Sequence, residues 1–312
     1  MRVVVTGAAG FIGSHLVEQL LAADHDVVGV DGFIDSYPRR YKDSNLTEAL
    51  PHPRFRFHEL DLRTADLDPI LDGVDAVVNE AAMPGLPRSW TEFDSYLTNN
   101  VQAMERLLEA SRRADVKRFV QASTSSVYGE NAVGDEQLPL RPVSPYGVTK
   151  LAAEHLALAH MTNQGVPVVI LRYFSVYGPR QRPDMAYHIF SEALLDGQPL
   201  TVFGDGYQTR SSLYVRDCVR GTMAALHRGT PGEAYNLGGA EPISLLDAIG
   251  RLGEVLGVKP VVRHEPVRPG DQRDTRSDTS KAQTHLGYEP TVVPLEGLAL
   301  QATWHAGSRS AK

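Results

Sequence analysis

Three consecutive valines, Val3-Val4-Val5, lead through Thr6 into Gly7-Ala8-Ala9-Gly10-Phe11-Ile12-Gly13, and a helical pattern begins at once. A short strand that ends in a glycine-rich turn at the mouth of a helix is a strong constraint. The turn lets backbone N–H groups approach a pyrophosphate, and the helix N-terminus adds positive partial charge. The same glycines as an isolated string carry little weight; their place between strand and helix carries much. Gly7, Gly10, Phe11, Ile12 and Gly13 are therefore expected to form a dinucleotide cradle.

The rest of the chain fits that start. Residues 2–6, 26–30, 74–79, 118–123 and 167–172 are short runs of β-branched or apolar residues, as strands covered on both faces require. Helical periodicity separates them. Ile12, Leu16 and Leu20 share one stripe over 11–23, and Leu97, Val101, Met104 and Leu108 share another over 97–113. The alternation predicts a doubly wound α/β fold, a Rossmann-type parallel sheet over residues 1–175. Pro179, Pro183, Pro199, Gly204 and Gly206 then break the rhythm. Residues 176–312 read mainly as a smaller C-terminal α/β domain for substrate, with 213–239 returning to the main sheet.

Asp31 closes the second predicted strand, where a carboxylate accepts from both ribose hydroxyls and repels a 2′-phosphate. NAD is favoured over NADP, although Arg39 and Arg40 lie downstream and could serve a phosphate. Asp61 and Leu62, after the alternating strand 54–59, are candidate adenine contacts. Ala81 and Ala82 offer a small-residue floor, Asn100 a means of holding backbone near it, and Tyr173 a further cofactor contact.

At 312 residues the chain can bury a full core. A formal charge of −7 without a basic stripe argues against a nucleic-acid partner. Cys218 is the only cysteine, so neither a disulfide framework nor a thiolate metal cluster is available, and no metal is expected. No apolar run has the length of a membrane span or the form of a signal peptide. A cytoplasmic location is expected.

Tyr146 and Lys150 stand one helical turn apart in Ser144-Pro145-Tyr146-Gly147-Val148-Thr149-Lys150. At i and i+4 they share a helix face. A lysine charge ~6 Å from the phenol, at an effective dielectric of ~20, stabilises phenolate by roughly 3 kcal/mol. Tyr146 would then serve as an acid/base near neutral pH.

With Ser123-Thr124-Ser125-Ser126-Val127-Tyr128-Gly129 and Arg172-Tyr173-Phe174-Ser175-Val176-Tyr177-Gly178-Pro179 in the same order, the chain resembles the extended short-chain dehydrogenase/reductases that modify nucleotide-sugars. The resemblance covers nearly the whole length. It implies that Thr124 hydrogen-bonds the reacting sugar hydroxyl, with Tyr146 and Lys150 as the other catalytic residues. It also implies that Arg210 and the Arg268-Pro269-Gly270-Asp271 run hold the nucleotide diphosphate, with Arg268 and Asp271 as contacts. Two guanidinium forks suit a pyrophosphate well. Departures are Ser175, where the family often has Asn, Arg210-Ser211-Ser212 in place of Arg-Asp-Phe, and Asn79-Glu80 in place of His-Leu. The direction of Glu80 is left open.

The reaction implied is hydride removal from sugar C4 to NAD, giving a 4-keto sugar. Dehydratases of this family carry Asp-Glu after the threonine, and Ser125 and Ser126 cannot do that work. Thr-Ser-Ser with Gln181-Arg182-Pro183-Asp184-Met185 looks like UDP-glucuronate 4-epimerases, with Arg182 facing the uronate or, alternatively, pairing with Asp184. The alternatives are a UDP-glucuronate decarboxylase giving a UDP-4-keto-pentose or UDP-xylose, an epimerase of a neutral UDP-hexose, and a dinucleotide-binding regulator without turnover. The resemblance further implies a homodimer through the helices at 97–113 and 144–163.

Overall fold

The computed structural model describes residues 1–267 and 273–310. Seven parallel strands form the central sheet: β1 (Arg2–Thr6), β2 (Asp26–Asp31), β3 (Phe55–Glu59), β4 (Ala76–Asn79), β5 (Arg118–Thr124), β6 (Val168–Tyr173) and β7 (Ala234–Leu237). Their spatial order is β7-β6-β5-β4-β1-β2-β3. The order reverses between β1 and β4, and a crevice at such a switch point is where open α/β sheets bind ligands.

The valines explain why the strands read as unbroken apolar runs. Val3 and Val5 pack into one buried layer, whereas Val4 packs into the other. Helices cover both faces. On one lie α1 (Phe11–Ala22) and α6 (Val215–Arg228), through Leu16, Leu20, Val219 and Leu226. On the other lie α3 (Ala103–Arg113) and α4 (Pro145–Gln164), through Met104, Leu107, Ala153 and Ala157. Between β2 and β3 runs the short α2 (Arg39–Leu46).

The C-terminal part adds α5 (Ala186–Leu195), α7 (Leu245–Leu256) and α8 (Pro294–Ser310). Phe190, Leu194, Leu252 and Leu298 belong to the same apolar cluster as the α1 face of the sheet. Its strands are short; Leu200–Phe203 pairs in parallel with Val262–Glu265.

Two local details differ from the sequence expectation. The helix expected over 97–113 begins at Phe93, and Thr98–Gln102 within it winds as a π-helix. Such wide turns redirect side chains; here Asn99 and Asn100 both become buried. Helix α4 begins as its sequence dictates. The Ser144 hydroxyl caps it by accepting from the Gly147 N–H at 3.1 Å, and Pro145 fills the first turn, where no N–H is needed.

One buried network ties α4 to the sheet. Glu154 pairs with Arg172 on β6 at 2.8 Å, and both side chains are under a tenth exposed. Ser123 on β5 also donates to Glu154, and Arg172 donates to Tyr128 Oη at 3.0 Å. Removing one partner of a buried pair strands the other charge. Glu154→Ala is expected to lower the unfolding free energy by about 3–5 kcal/mol in urea titrations; a loss below ~1 kcal/mol would show that the network contributes little.

Candidate active site

The glycine turn leaves no room for side chains. Gly7 has φ +66°, and a Cβ there would lie 2.9 Å from the Ala81 nitrogen; a Cβ on Gly13 would lie 2.1 Å from the Gly7 carbonyl oxygen. Strand β1, helix α1 and the end of β4 therefore meet at backbone distance. Gly10 caps α1 without a side-chain bond, which leaves the first-turn N–H groups to the groove. Gly7, Gly10, Phe11, Ile12, Gly13, Asp31, Asp61, Leu62, Ala81, Ala82, Tyr146, Lys150 and Tyr173 all line that groove.

Asp31 is buried and well furnished. Its Oδ1 accepts from the Phe33 N–H at 2.8 Å and Lys42 Nζ at 3.1 Å, and its Oδ2 from the Ala9 N–H at 3.2 Å. Lys42 escaped the sequence reading, which weighed only Arg39 and Arg40. Arg39 is instead engaged by Glu59 in a fork of 2.8 and 2.7 Å, and the Arg40 guanidinium lies 4.9 Å from the Tyr41 ring centroid. Asp61 pairs with Arg63 at 2.6 Å. Asn100 stands behind the groove: it accepts from the Met83 N–H at 2.7 Å and donates to the Met83 carbonyl and to Thr149 Oγ1, each at 3.1 Å. It thus locks the loop after β4 to α4.

A second chamber of about 760 Å³ opens beyond Tyr146 and carries Thr124, Ser125, Ser126, Ser175, Arg182 and Arg210 on its walls. A third, of about 720 Å³, shares Ser175, Arg182 and Arg210 and ends among Met185, Ile189, Phe190, Leu200 and Phe203. Shared walls make one cleft of the three. Thr124 Oγ1 accepts from the Ser126 N–H at 3.1 Å, which fixes the Thr-Ser-Ser turn. Arg182 forms a fork with Asp184, both contacts at 3.0 Å, and still faces all three chambers. Arg210 donates to the Thr209 and Arg273 carbonyls at 2.8 and 3.1 Å. Arg268 and Asp271 lie outside the described residues.

Opposing influences act on the Tyr146 phenol. Burial pushes it up from its ordinary value, while a hydrogen bond with Thr124 and the charge of Arg182 pull it down. Lys150 Nζ donates to the Ala122 carbonyl at 2.6 Å. Burial draws Lys150 down to about 8 against the opposing charges of Glu80 and Glu154. Helical spacing puts Tyr146 and Lys150 on one face; both line the groove, the lysine stem ends at the Ala122 carbonyl, and Arg182 adds a further positive charge that acts on the phenol. Glu80, whose direction the sequence left open, lines the groove and accepts from Tyr173 Oη at 2.7 Å.

Fold and site together define a dinucleotide-dependent α/β enzyme whose cleft continues beyond the cofactor groove between hydroxyl groups and two arginines. Residues 3–238 match the family model described as NAD dependent epimerase/dehydratase family. The chain is 44% identical to UDP-glucuronic acid 4-epimerase from Bacillus cereus, and the crystal structure of that protein with UDP-glucuronic acid and NAD superposes with a TM-score of 0.96, over 99% of this chain and 100% of that one. It is 46% identical over 304 residues to YtcB of Bacillus subtilis (strain 168), an uncharacterized UDP-glucose epimerase, covering 96% of each chain. It is also 37% identical over 312 residues to dTDP-glucose 4,6-dehydratase of Streptomyces griseus, covering 99% of this chain and 95% of that one. The chain belongs to the NAD-dependent epimerase/dehydratase family, and its cofactor is NAD.

Tyr146→Phe is expected to keep NAD binding and to lose turnover by at least ~10²-fold, the scale for removing a general acid/base. Near wild-type turnover in single-turnover assays would remove Tyr146 from that role.

Proposed function

We propose that this enzyme is a UDP-glucuronate 4-epimerase. The observation that carries the reading is the donor set around Tyr146: Thr124, Ser125 and Ser126 on one wall of the cleft and Arg182 on another. Hydroxyls and a guanidinium suit a sugar carboxylate. Ser125 and Ser126 offer no acid or base for the C5 and C6 proton transfers of a dehydratase. The likeness to the Bacillus cereus epimerase supports the same substrate.

In this reading Tyr146 takes the O4 proton, and Thr124 orients that hydroxyl. NAD, when bound, supplies the hydride acceptor and donor at C4. The 4-keto ring then turns over between the walls, so that the hydride would return to the other face of C4 while Tyr146 gives the proton back to O4. Oxidation at C4 makes a β-keto acid, which loses CO₂ when the C5–C6 bond lines up with the ketone π-system. Ser125, Ser126 and Arg182 hold the carboxylate so that this bond stays near the carbonyl plane. Ser175, Arg210, Arg268 and Asp271 are assigned to the nucleotide diphosphate side.

The same reading gives residues 1–175, with 213–239, to the cofactor and 176–312 mainly to the nucleotide-sugar. A homodimer belongs to it as well. Phe93, Leu97 and Val148 are large apolar residues between two-fifths and one-half exposed on or beside the helices that would pair. No helix among the described residues is long and apolar enough to cross a membrane; a cytoplasmic location is part of the proposal.

Purified protein incubated with UDP-glucuronate is expected to yield the 4-epimer. Release of CO₂ with a pentose product would instead make it a decarboxylase. Arg182→Ala is expected to raise KM for the uronate tenfold or more, by an amount on the order of 1.4 kcal/mol of lost pairing, and to spare neutral UDP-hexoses. Equal effects on both substrates would exclude Arg182 from carboxylate recognition. Sedimentation velocity is expected to show a dimer that Val148→Glu splits into monomers.

A further inference from the structure

Lys150 is only 4% exposed. Its ammonium carries three donors and makes a bond to the Ala122 carbonyl. A buried cation without a counter-charge gives up its proton. Two carboxylates act on it, Glu154 and Glu80, and they are not equivalent. Glu154 is already engaged by the Arg172 guanidinium, through contacts of 2.8, 3.2 and 3.3 Å, and by the Ser123 hydroxyl. Glu80, held by Tyr173, lines the same groove as Lys150, and the lysine charge acts on it.

We propose that Glu80 is a positioning residue of this enzyme: anchored by Tyr173 on the floor of the cofactor groove, it supplies the negative charge that keeps the Lys150 ammonium protonated while Tyr146 works. The groups that act on this pair come from two helices and a strand. Lys150 and Glu154 come from α4, Tyr173 from β6, and Thr222 and Cys218 from α6.

The proton count around Glu80 supports a group able to change charge in place. Tyr173 Oη lies 2.7 Å from both Glu80 Oε1 and Thr222 Oγ1, and Thr222 lies 2.9 Å from the Cys218 carbonyl. With Glu80 ionised, Thr222 donates to Tyr173 and Tyr173 donates to the carboxylate. When Glu80 is protonated the chain reverses: Glu80 donates to Tyr173, Tyr173 to Thr222 and Thr222 to the carbonyl. Neither polarity leaves a buried hydroxyl without a partner. Burial pushes Glu80 up to about 7, against the Tyr173 bond and the Lys150 charge, so both forms are within reach near neutrality.

This inference rests on reading Tyr146 and Lys150 as the reacting pair, and its test reads Glu80 separately. In pH profiles between about pH 6 and 10, Glu80→Gln and Glu80→Leu are expected to move the alkaline limb of kcat down by roughly one pH unit or more, because Lys150 then deprotonates earlier. KM for the nucleotide-sugar should stay within about twofold, and Glu80→Asp should restore the limb. An unmoved limb, or a uniform loss of kcat at every pH, overturns the proposal.

Infrared pH-difference spectra need no turnover, no stable variant and no identified sugar. Wild-type protein should show a carboxylic-acid carbonyl band that vanishes as pH rises through about 7. A band that persists to about pH 9 leaves Glu80 uncharged and overturns the proposal.

Discussion

The reacting geometry depends on how helix α4 is fastened to strand β5. Tyr146, Lys150 and Glu154 stand at i, i+4 and i+8, so all three point at the sheet. They meet consecutive residues of β5: Glu154 takes the Ser123 hydroxyl, Lys150 reaches the Ala122 carbonyl, and the Tyr146 phenol faces the Thr124 hydroxyl. Arg172 closes the arrangement from β6 by pairing with Glu154. The ion pair two turns along the helix therefore fixes the register in which the phenol meets the threonine. A slip of one residue in either element would separate them.

The same fastening explains why the positive charges divide their work. Lys150 ends at the strand on the Ala122 carbonyl, and the charges of Glu80 and Glu154 act on it there. Arg182 approaches from the far wall, between the cofactor groove and the substrate cleft. A cation placed there acts on Tyr146 and on an incoming anion together. Under the epimerase reading, binding an anionic sugar would draw off part of the field that favours phenolate, and carboxylate recognition and proton transfer would be coupled through one guanidinium.

What the sequence made legible were features that are local in the chain. The glycine turn follows a strand and opens a helix within thirteen residues, and the helix expected over 144–163 is found at Pro145–Gln164. Apolar runs were enough to place five of the sheet's strands, and alternation placed a sixth at 54–59, because the sheet imposes its pattern on each strand separately. Lys42 was not legible: only the fold of α2 back against β2 brings it to Asp31, and a lysine between Tyr41 and Asp43 reads as a surface residue. Glu80 was visible as a departure, but its partners, Tyr173 and Thr222, lie 93 and 49 residues from their respective neighbours in that chain of bonds. Helical spacing placed Lys150 on the face of Tyr146, but the length of its side chain left its end point, the Ala122 carbonyl, undetermined. The π-helical turn at Asn99 and Asn100 has no periodicity that distinguishes it in sequence.

Rigid donors matter more for a uronate than for a neutral hexose, under the epimerase reading. A neutral 4-keto sugar tolerates rotation about C5–C6, whereas a 4-keto uronate that rotates into alignment loses its carboxylate. Ser126 is held by its own N–H on Thr124, and the Arg182 guanidinium is held in plane by the Asp184 fork. Asp184 also offsets part of the charge that Arg182 presents, which limits how tightly the carboxylate is gripped while the ring must still turn over. A wall that is fixed in direction and moderate in charge satisfies both demands, and the side chains on either flank of Tyr146 are arranged to supply it.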